Sequence, residues 1–168
     1  RPSSVVKELV ENAIDAKATA VTVEIKEGGI SFIRITDNGC GIEKKQVPIA
    51  FLRHSTSKIR SVEDLLSIHS LGFRGEALSS IAAVAQVELI TKTYEELTGT
   101  RYVIEGSKEI ENEEIGAPEG TTFIVRNLFY NVPARRKFLK TAQTEAGYIS
   151  DLMERMALSH PDVSFKFI

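Results

Sequence analysis

The stretch from Val5 to Asp15 admits one regular structure. Its apolar residues Val5, Val6, Leu9, Val10, Ala13 and Ile14 recur at the i, i+3, i+4 spacing of an amphipathic helix. Pro2 followed by Ser3 and Ser4 supplies a start signal. The opposite face then carries Glu8, Asn12 and Asp15 in one row, because residues three and four apart are surface neighbours. A carboxylate and a carboxamide one turn apart could act as a general base beside a metal ligand. The same row would also suit a solvated helix face, so the rest of the chain has to decide.

At 168 residues the chain is expected to form one domain and to bury about 70% of its unfolded surface. Twenty-one Lys and Arg against 23 Asp and Glu leave a formal charge of -2, which argues against nucleic-acid or membrane-surface binding through bulk charge. A single cysteine excludes an internal disulfide and fits a reducing compartment, either the cytoplasm or, in a eukaryote, the nucleus. No apolar run approaches the ~20 residues that span a bilayer, and no signal peptide opens the chain. A chain beginning with Arg1 is expected to be a fragment.

Ala20 to Lys26 and Ile30 to Thr36 both alternate in the strand period, with Gly28-Gly29 between them, which predicts a β-hairpin. Short helices are expected around 43–52, where Pro48 breaks or shortens the element, and around 62–69. A helix at Glu76 to Ala85 precedes strands at Val87 to Thr93, Thr100 to Glu105 and Thr121 to Arg126. Lys108 to Glu119 reads as a surface connection or short edge strand. Pro133 suits the first turn of a helix through Leu139. A helix from Thr144 to Ser159 and a strand from Val163 to Ile168 complete the chain. This order predicts an α+β domain with helices on one face of a mainly antiparallel sheet.

Three segments carry chemistry. Asp37-Asn38-Gly39-Cys40-Gly41 sets a carboxylate at a strand end beside two glycines, which let a ligand approach the backbone. Such a carboxylate accepts from the six-position amine of adenine and opposes the carbonyl that guanine has there. The same residues also make an ordinary turn. Gly72-Phe73-Arg74-Gly75-Glu76-Ala77-Leu78 leads into a helix start, where N–H groups and the helix dipole favour phosphate. It has neither the ending of a Walker loop nor the dinucleotide glycine spacing. Arg53 to Lys58 offers hydroxyls and cations for a lid, or is a polar loop; Gly120-Thr121 alone says little.

In order and wording these segments resemble the four motifs of the GHKL ATPases: Glu8-x-x-x-Asn12, Asp37-x-Gly39-x-Gly41, Gly72-Phe73-Arg74-Gly75 and Gly120-Thr121. Within that superfamily, which includes DNA gyrase B, the ninety-kilodalton heat-shock chaperone and sensor histidine kinases, the wording is most similar to the MutL mismatch-repair proteins. Val6 to Asn12, Thr56-Ser57-Lys58-Ile59 and Leu128-Phe129-Tyr130-Asn131-Val132-Pro133-Ala134-Arg135-Arg136-Lys137-Phe138-Leu139 carry that likeness.

The resemblance implies a Bergerat (GHKL) ATPase fold over residues 1–168, a mixed, mainly antiparallel sheet with ATP between it and the helices. It implies that Glu8 activates water, that Asn12 holds Mg²⁺ and that Asp37 reads the adenine amine, with Gly39 and Gly41 admitting the base. Ser57, Lys58 and Gly72, Phe73, Arg74, Gly75, Glu76, Ala77 and Leu78 would serve the phosphates, and Thr121 the adenine end. Residues 53–78 would form a lid that orders on ATP binding and creates a dimer surface. By the same resemblance the complete protein would be an ATP-dependent homodimer. It would couple a mismatch-recognition protein to a downstream nuclease or helicase, meeting DNA mainly through a following domain. Both that domain, which carries a lysine for the γ-phosphate, and an N-terminal arm are expected to be missing here. The fragment is therefore expected to bind ATP weakly and turn it over poorly.

Lys17 stands where relatives commonly have glycine after Asp-Ala; if that position is left-handed, lysine costs about 1 kcal/mol. His54, His69 and His160 show no metal spacing with Cys40, and Arg135-Arg136-Lys137 with Lys140 reads as a surface cluster before a DNA patch. Two rival readings remain at this stage: a nucleotide-sensing module without useful hydrolysis, and another GHKL enzyme such as a topoisomerase subunit.

Overall fold

Helix α1 (Pro2–Asp15) forms where the apolar spacing places it, and Val5, Val6, Leu9, Val10 and Ala13 are all buried. Its end is a Schellman motif: the Lys17 N–H donates to the Ile14 carbonyl at 2.9 Å and the Ala18 N–H to the Ala13 carbonyl at 3.1 Å. Lys17 has φ +65°, so lysine does occupy the left-handed position. These details come from a computed structural model that describes residues 1–52 and 76–168. The expected helix at 62–69 and most of the expected lid lie outside the described residues.

Strands β1 (Ala20–Lys26) and β2 (Phe32–Asp37) form the expected hairpin through a 3-10 turn at Glu27–Gly29. Residues 43–52 form a 3-10 turn, Lys44–Gln46, and a four-residue helix α2 (Val47–Ala50) rather than one helix. Pro48 sits in the first turn of α2, where its missing N–H costs nothing, so the helix starts around proline instead of being broken by it.

Helix α3 (Ala77–Val84) leads to β3 (Gln86–Lys92), β4 (Gly99–Glu105), β5 (Lys108–Ile115) and β6 (Gly120–Arg126). β5 is a full edge strand, longer than the charge-rich sequence suggests. It is held by pairing to β4 and by Arg101, whose guanidinium reaches Glu111 at 2.7 Å and Glu113 at 2.9 Å. Helix α4 (Pro133–Arg136) stops short of Leu139; Phe138 is 83% exposed, so no core face rewards a further turn. Helix α5 (Ala142–Ser159) starts two residues before Thr144 because Thr141 caps it, its hydroxyl accepting the Thr144 N–H at 3.2 Å. β7 is Ser164–Phe167.

The sheet runs β5-β4-β3-β6-β2-β1-β7, antiparallel at every pairing except β1 with β7. Its register explains the layers. Tyr102, Leu89, Phe123, Ile35 and Val23 stand opposite one another across five strands and are buried together under α1, α3 and α5. The other face is polar, with Glu88 joined to Arg101 at 2.7 Å and to Arg126 at 3.2 Å, and Glu24 paired with Arg34. Two residues from the apolar row, on the same face, Thr100, Thr91, Thr121 and Asp37 form a buried polar row. That row is the floor of the candidate site. No helix among the described residues is long and apolar enough to cross a membrane.

Candidate nucleotide-binding site

Asp37 ends β2 with 9% of its surface exposed. Its carboxylate accepts the Gly39 N–H at 2.8 Å and the backbone N–H of Thr121. Burial nevertheless dominates and pushes the carboxyl up to about 6, against the lowering effect of those two bonds. The acid is thus poised to accept one more strong donor.

The loop after Asp37 is pinned on both sides. Asn38 Oδ1 accepts the N–H groups of Thr19 at 2.8 Å and Ala20 at 3.0 Å, and its Nδ2 donates to Thr19 Oγ1 at 2.9 Å. The Cys40 N–H donates to the Ala16 carbonyl at 2.9 Å, tying the loop to the end of α1. Across the loop, the Ile42 N–H donates to Thr91 Oγ1 at 2.9 Å. Gly41 has φ +74°, and a Cβ there would lie 2.1 Å from the Lys92 carbonyl oxygen. Gly120 has φ +123°, with the Asp37 carbonyl oxygen 2.2 Å from where its Cβ would be. Both glycines are required by the protein's own backbone, which packs the loop against β3 and β6.

The helical end differs. Asn12 is 8% exposed and its Oδ1 is buried with no hydrogen-bond partner among the described residues. Glu8 Oε2 is likewise buried and unpartnered. Both lie on α1, four residues apart, hence on one face. An unpaired buried carboxylate or carboxamide oxygen costs about 1–3 kcal/mol, so each marks a place where a ligand would compensate. A cavity of about 260 Å³ opens beside Glu8, lined among others by Ala77 at the start of α3 and by Arg135. Asn12 Oδ1 is a hard oxygen of the kind that Mg²⁺ takes, and no cluster of His, Cys, Asp or Glu among the described residues forms an all-protein metal cage. Mg²⁺ commonly takes only one or two protein oxygens beside substrate phosphates, so the donor set fits.

The structure therefore brings Asp37, Gly39, Gly41 and Thr121 together at one end. It places Glu8 and Asn12 on α1, with Ala77 across the cavity from Glu8. Glu76 is exposed immediately before α3, while Leu78 is buried in the core. Ser57, Lys58, Gly72, Phe73, Arg74 and Gly75 lie outside the described residues. Sequence reasoning missed Asn38, Thr91 and Arg135. Asn38 was hidden inside a turn motif that Asp, Asn and Gly satisfy anyway, and Thr91 becomes visible only once strand register is known.

Known proteins share this fold. Residues 1–123 match the family of histidine kinase-, DNA gyrase B-, and HSP90-like ATPases. The DNA mismatch repair protein MutL of Agathobacter rectalis is 83% identical over all 168 residues, and that of Caldanaerobacter subterraneus is 55% identical over the same length. The chain covers 26% and 28% of those two proteins, about a quarter of their length. Among solved structures, the Aquifex aeolicus MutL ATPase domain complexed with ADP has a TM-score of 0.81 at 36% identity, covering 100% of this chain and 59% of that one. The N-terminal domain of a DNA repair protein has a TM-score of 0.85 at 31% identity, covering 99% and 49%. The chain belongs to the histidine kinase-, DNA gyrase B-, and HSP90-like ATPase family, and along its whole length it is similar to the ATPase domain of MutL DNA mismatch repair proteins.

Proposed function

We propose that residues 1–168 form a single ATP-binding domain that hydrolyses ATP slowly, with Mg²⁺, in a MutL-type mismatch repair protein. The observation that carries this reading is the pair of buried oxygens without partners among the described residues, Glu8 Oε2 and Asn12 Oδ1, one helical turn apart, with a cavity opening beside Glu8. Asp37 accepts the adenine amine and Thr121 supports that end, while Gly39 and Gly41 let the loop beside them pack tightly against Ala16 and Lys92. Asn12 Oδ1 would hold Mg²⁺, which would offset the negative charge of the phosphates when bound.

Glu8 orients a water molecule and takes its proton as the water oxygen bonds to the γ-phosphorus and the bond to the β-phosphate oxygen breaks, leaving ADP. The N-terminus of α3, with Ala77 facing the Glu8 cavity, presents N–H groups to phosphate together with the chain before it, Gly72 to Glu76. Ser57 and Lys58, outside the described residues, serve the phosphates as well. In the complete protein, nucleotide occupancy controls a homodimer in the cytoplasm that links a mismatch-recognition protein to a downstream nuclease or helicase.

Glu8→Gln in the complete protein tests the enzymatic half of this reading. Steady-state turnover falls by about 10²- to 10⁴-fold, the usual worth of a general base, while binding of a non-hydrolysable ATP analogue persists. Unchanged turnover would instead favour a nucleotide sensor in which Glu8 has no chemical task.

A further inference from the structure

Thr91 is 1% exposed, and three polar groups meet its hydroxyl. The Ile42 N–H donates to it at 2.9 Å, the Gly120 carbonyl lies at 3.0 Å, and Thr121 Oγ1 lies at 2.9 Å. A hydroxyl has one proton and two lone pairs. The N–H can only donate and the carbonyl can only accept. One arrangement therefore uses every group: Thr91 accepts from Ile42, donates to Gly120, and takes the Thr121 proton on its second lone pair.

Thr121 stands opposite both Thr91 and Asp37 in the strand register. With its proton drawn toward Thr91, Thr121 turns only lone pairs outward. We propose that Thr91 is a positioning residue for base selection: it orients the Thr121 hydroxyl so that Thr121 and Asp37 together present acceptors only. Such a pair accommodates an amine and opposes a carbonyl at the same place, which separates adenine from guanine. This inference rests on the adenine-binding reading of Asp37. It adds that a residue with no expected ligand contact sets the selectivity.

The test compares a non-hydrolysable ATP analogue with its GTP counterpart, titrated into the complete protein. The wild type binds the ATP analogue selectively; if it binds neither, or both equally, the adenine-binding reading fails before Thr91 is in question. Thr91→Val releases the Thr121 proton to point outward at a carbonyl, and the ATP-to-GTP affinity ratio drops by about tenfold. Thr91→Ser restores the hydroxyl and returns the ratio toward the wild-type value. Adding Thr121→Val to Thr91→Val removes the freed donor and recovers most of the lost selectivity. Should Thr91→Val not fold, Thr91→Cys, whose thiol is a weak acceptor of similar size, reads the same ratio. Equal weakening of both nucleotides, with the ratio unchanged, would overturn the proposal and leave Thr91 a structural residue.

Discussion

The two ends of the candidate site are built on opposite principles. At the end proposed to take adenine, Asp37, Asn38, Thr91 and Thr121 are bonded to their neighbours, and Gly41 and Gly120 let three strands and a loop close on one another. At the helical end, Glu8 and Asn12 each keep a buried oxygen without a partner among the described residues. The first end is preorganised by the chain itself and contributes to stability. The second holds a deficit of about 1–3 kcal/mol per atom that no described residue removes and a bound ligand would. In the proposed reading, base selection is served by rigidity, whereas chemistry needs groups whose bonding is completed by metal, water and phosphate.

The comparison is broken most severely at Glu8. Glu8→Gln, besides its loss of turnover, is expected to leave the thermal midpoint unchanged or raised, because it removes a buried unpaired carboxylate. A melting curve checks this, and a marked fall in midpoint would mean that Glu8 is structural. At the other end the expectation reverses. Gly120→Ala places a Cβ 2.2 Å from the Asp37 carbonyl in a left-handed backbone, and is expected to destabilise the fold by about 3 kcal/mol or more. Denaturant unfolding reads that loss directly.

Those two residues also show what the sequence makes legible. Glu8 and Asn12 are visible because helical period converts spacing into a shared face, and α1 has the bounds the apolar pattern implies. The β1–β2 hairpin and strands β3, β4 and β6 follow similarly from alternation and turn residues. Gly120 is marked only by the resemblance of Gly120-Thr121 to a motif; its physical necessity comes from Asp37 across the β2–β6 pairing, more than eighty positions away. Thr91 is hidden for the same reason. β5 is underestimated because its acidic residues look like a solvated connection until Arg101, on the neighbouring strand, is found among them. Local pattern encodes the elements, while register places polar groups from distant strands in one row.

A smaller effect concerns pH. With its carboxyl raised from 3.8 to about 6 by burial, Asp37 is ionised, and a strong acceptor through both oxygens, only above that value. ATP-analogue affinity is expected to be flat above about pH 7 and to fall toward tenfold per unit below pH 6. Stability runs the other way. The folded state holds the Asp37 proton more tightly than the unfolded state does, so the stability this group contributes is fully present below about pH 4 and is lost as pH rises through about 6. Titrations and melts of wild type and Asp37→Asn at pH 5 and 7.5 separate the two: Asn abolishes both dependences. If wild-type affinity stayed constant down to pH 5, Asp37 would not be the acceptor.

The smallest expected effect lies just beyond both ends of the site. Lys17→Gly, at φ +65° in the turn that follows α1, is expected to stabilise the protein by up to about 1 kcal/mol without altering nucleotide affinity. A shift in denaturation midpoint with unchanged binding would show that this turn supports α1 and no more.

The contrast between a completed end and an incomplete one is tested most directly by calorimetric titration of the ATP analogue, with and without Mg²⁺, into wild type and Asn12→Ala. The account expects Mg²⁺ to strengthen binding to the wild type and to have little effect on Asn12→Ala, which stays folded and keeps its preference for adenine over guanine. Equal Mg²⁺ dependence in both proteins would contradict it, because the unpaired Asn12 oxygen would then not be where the metal is held.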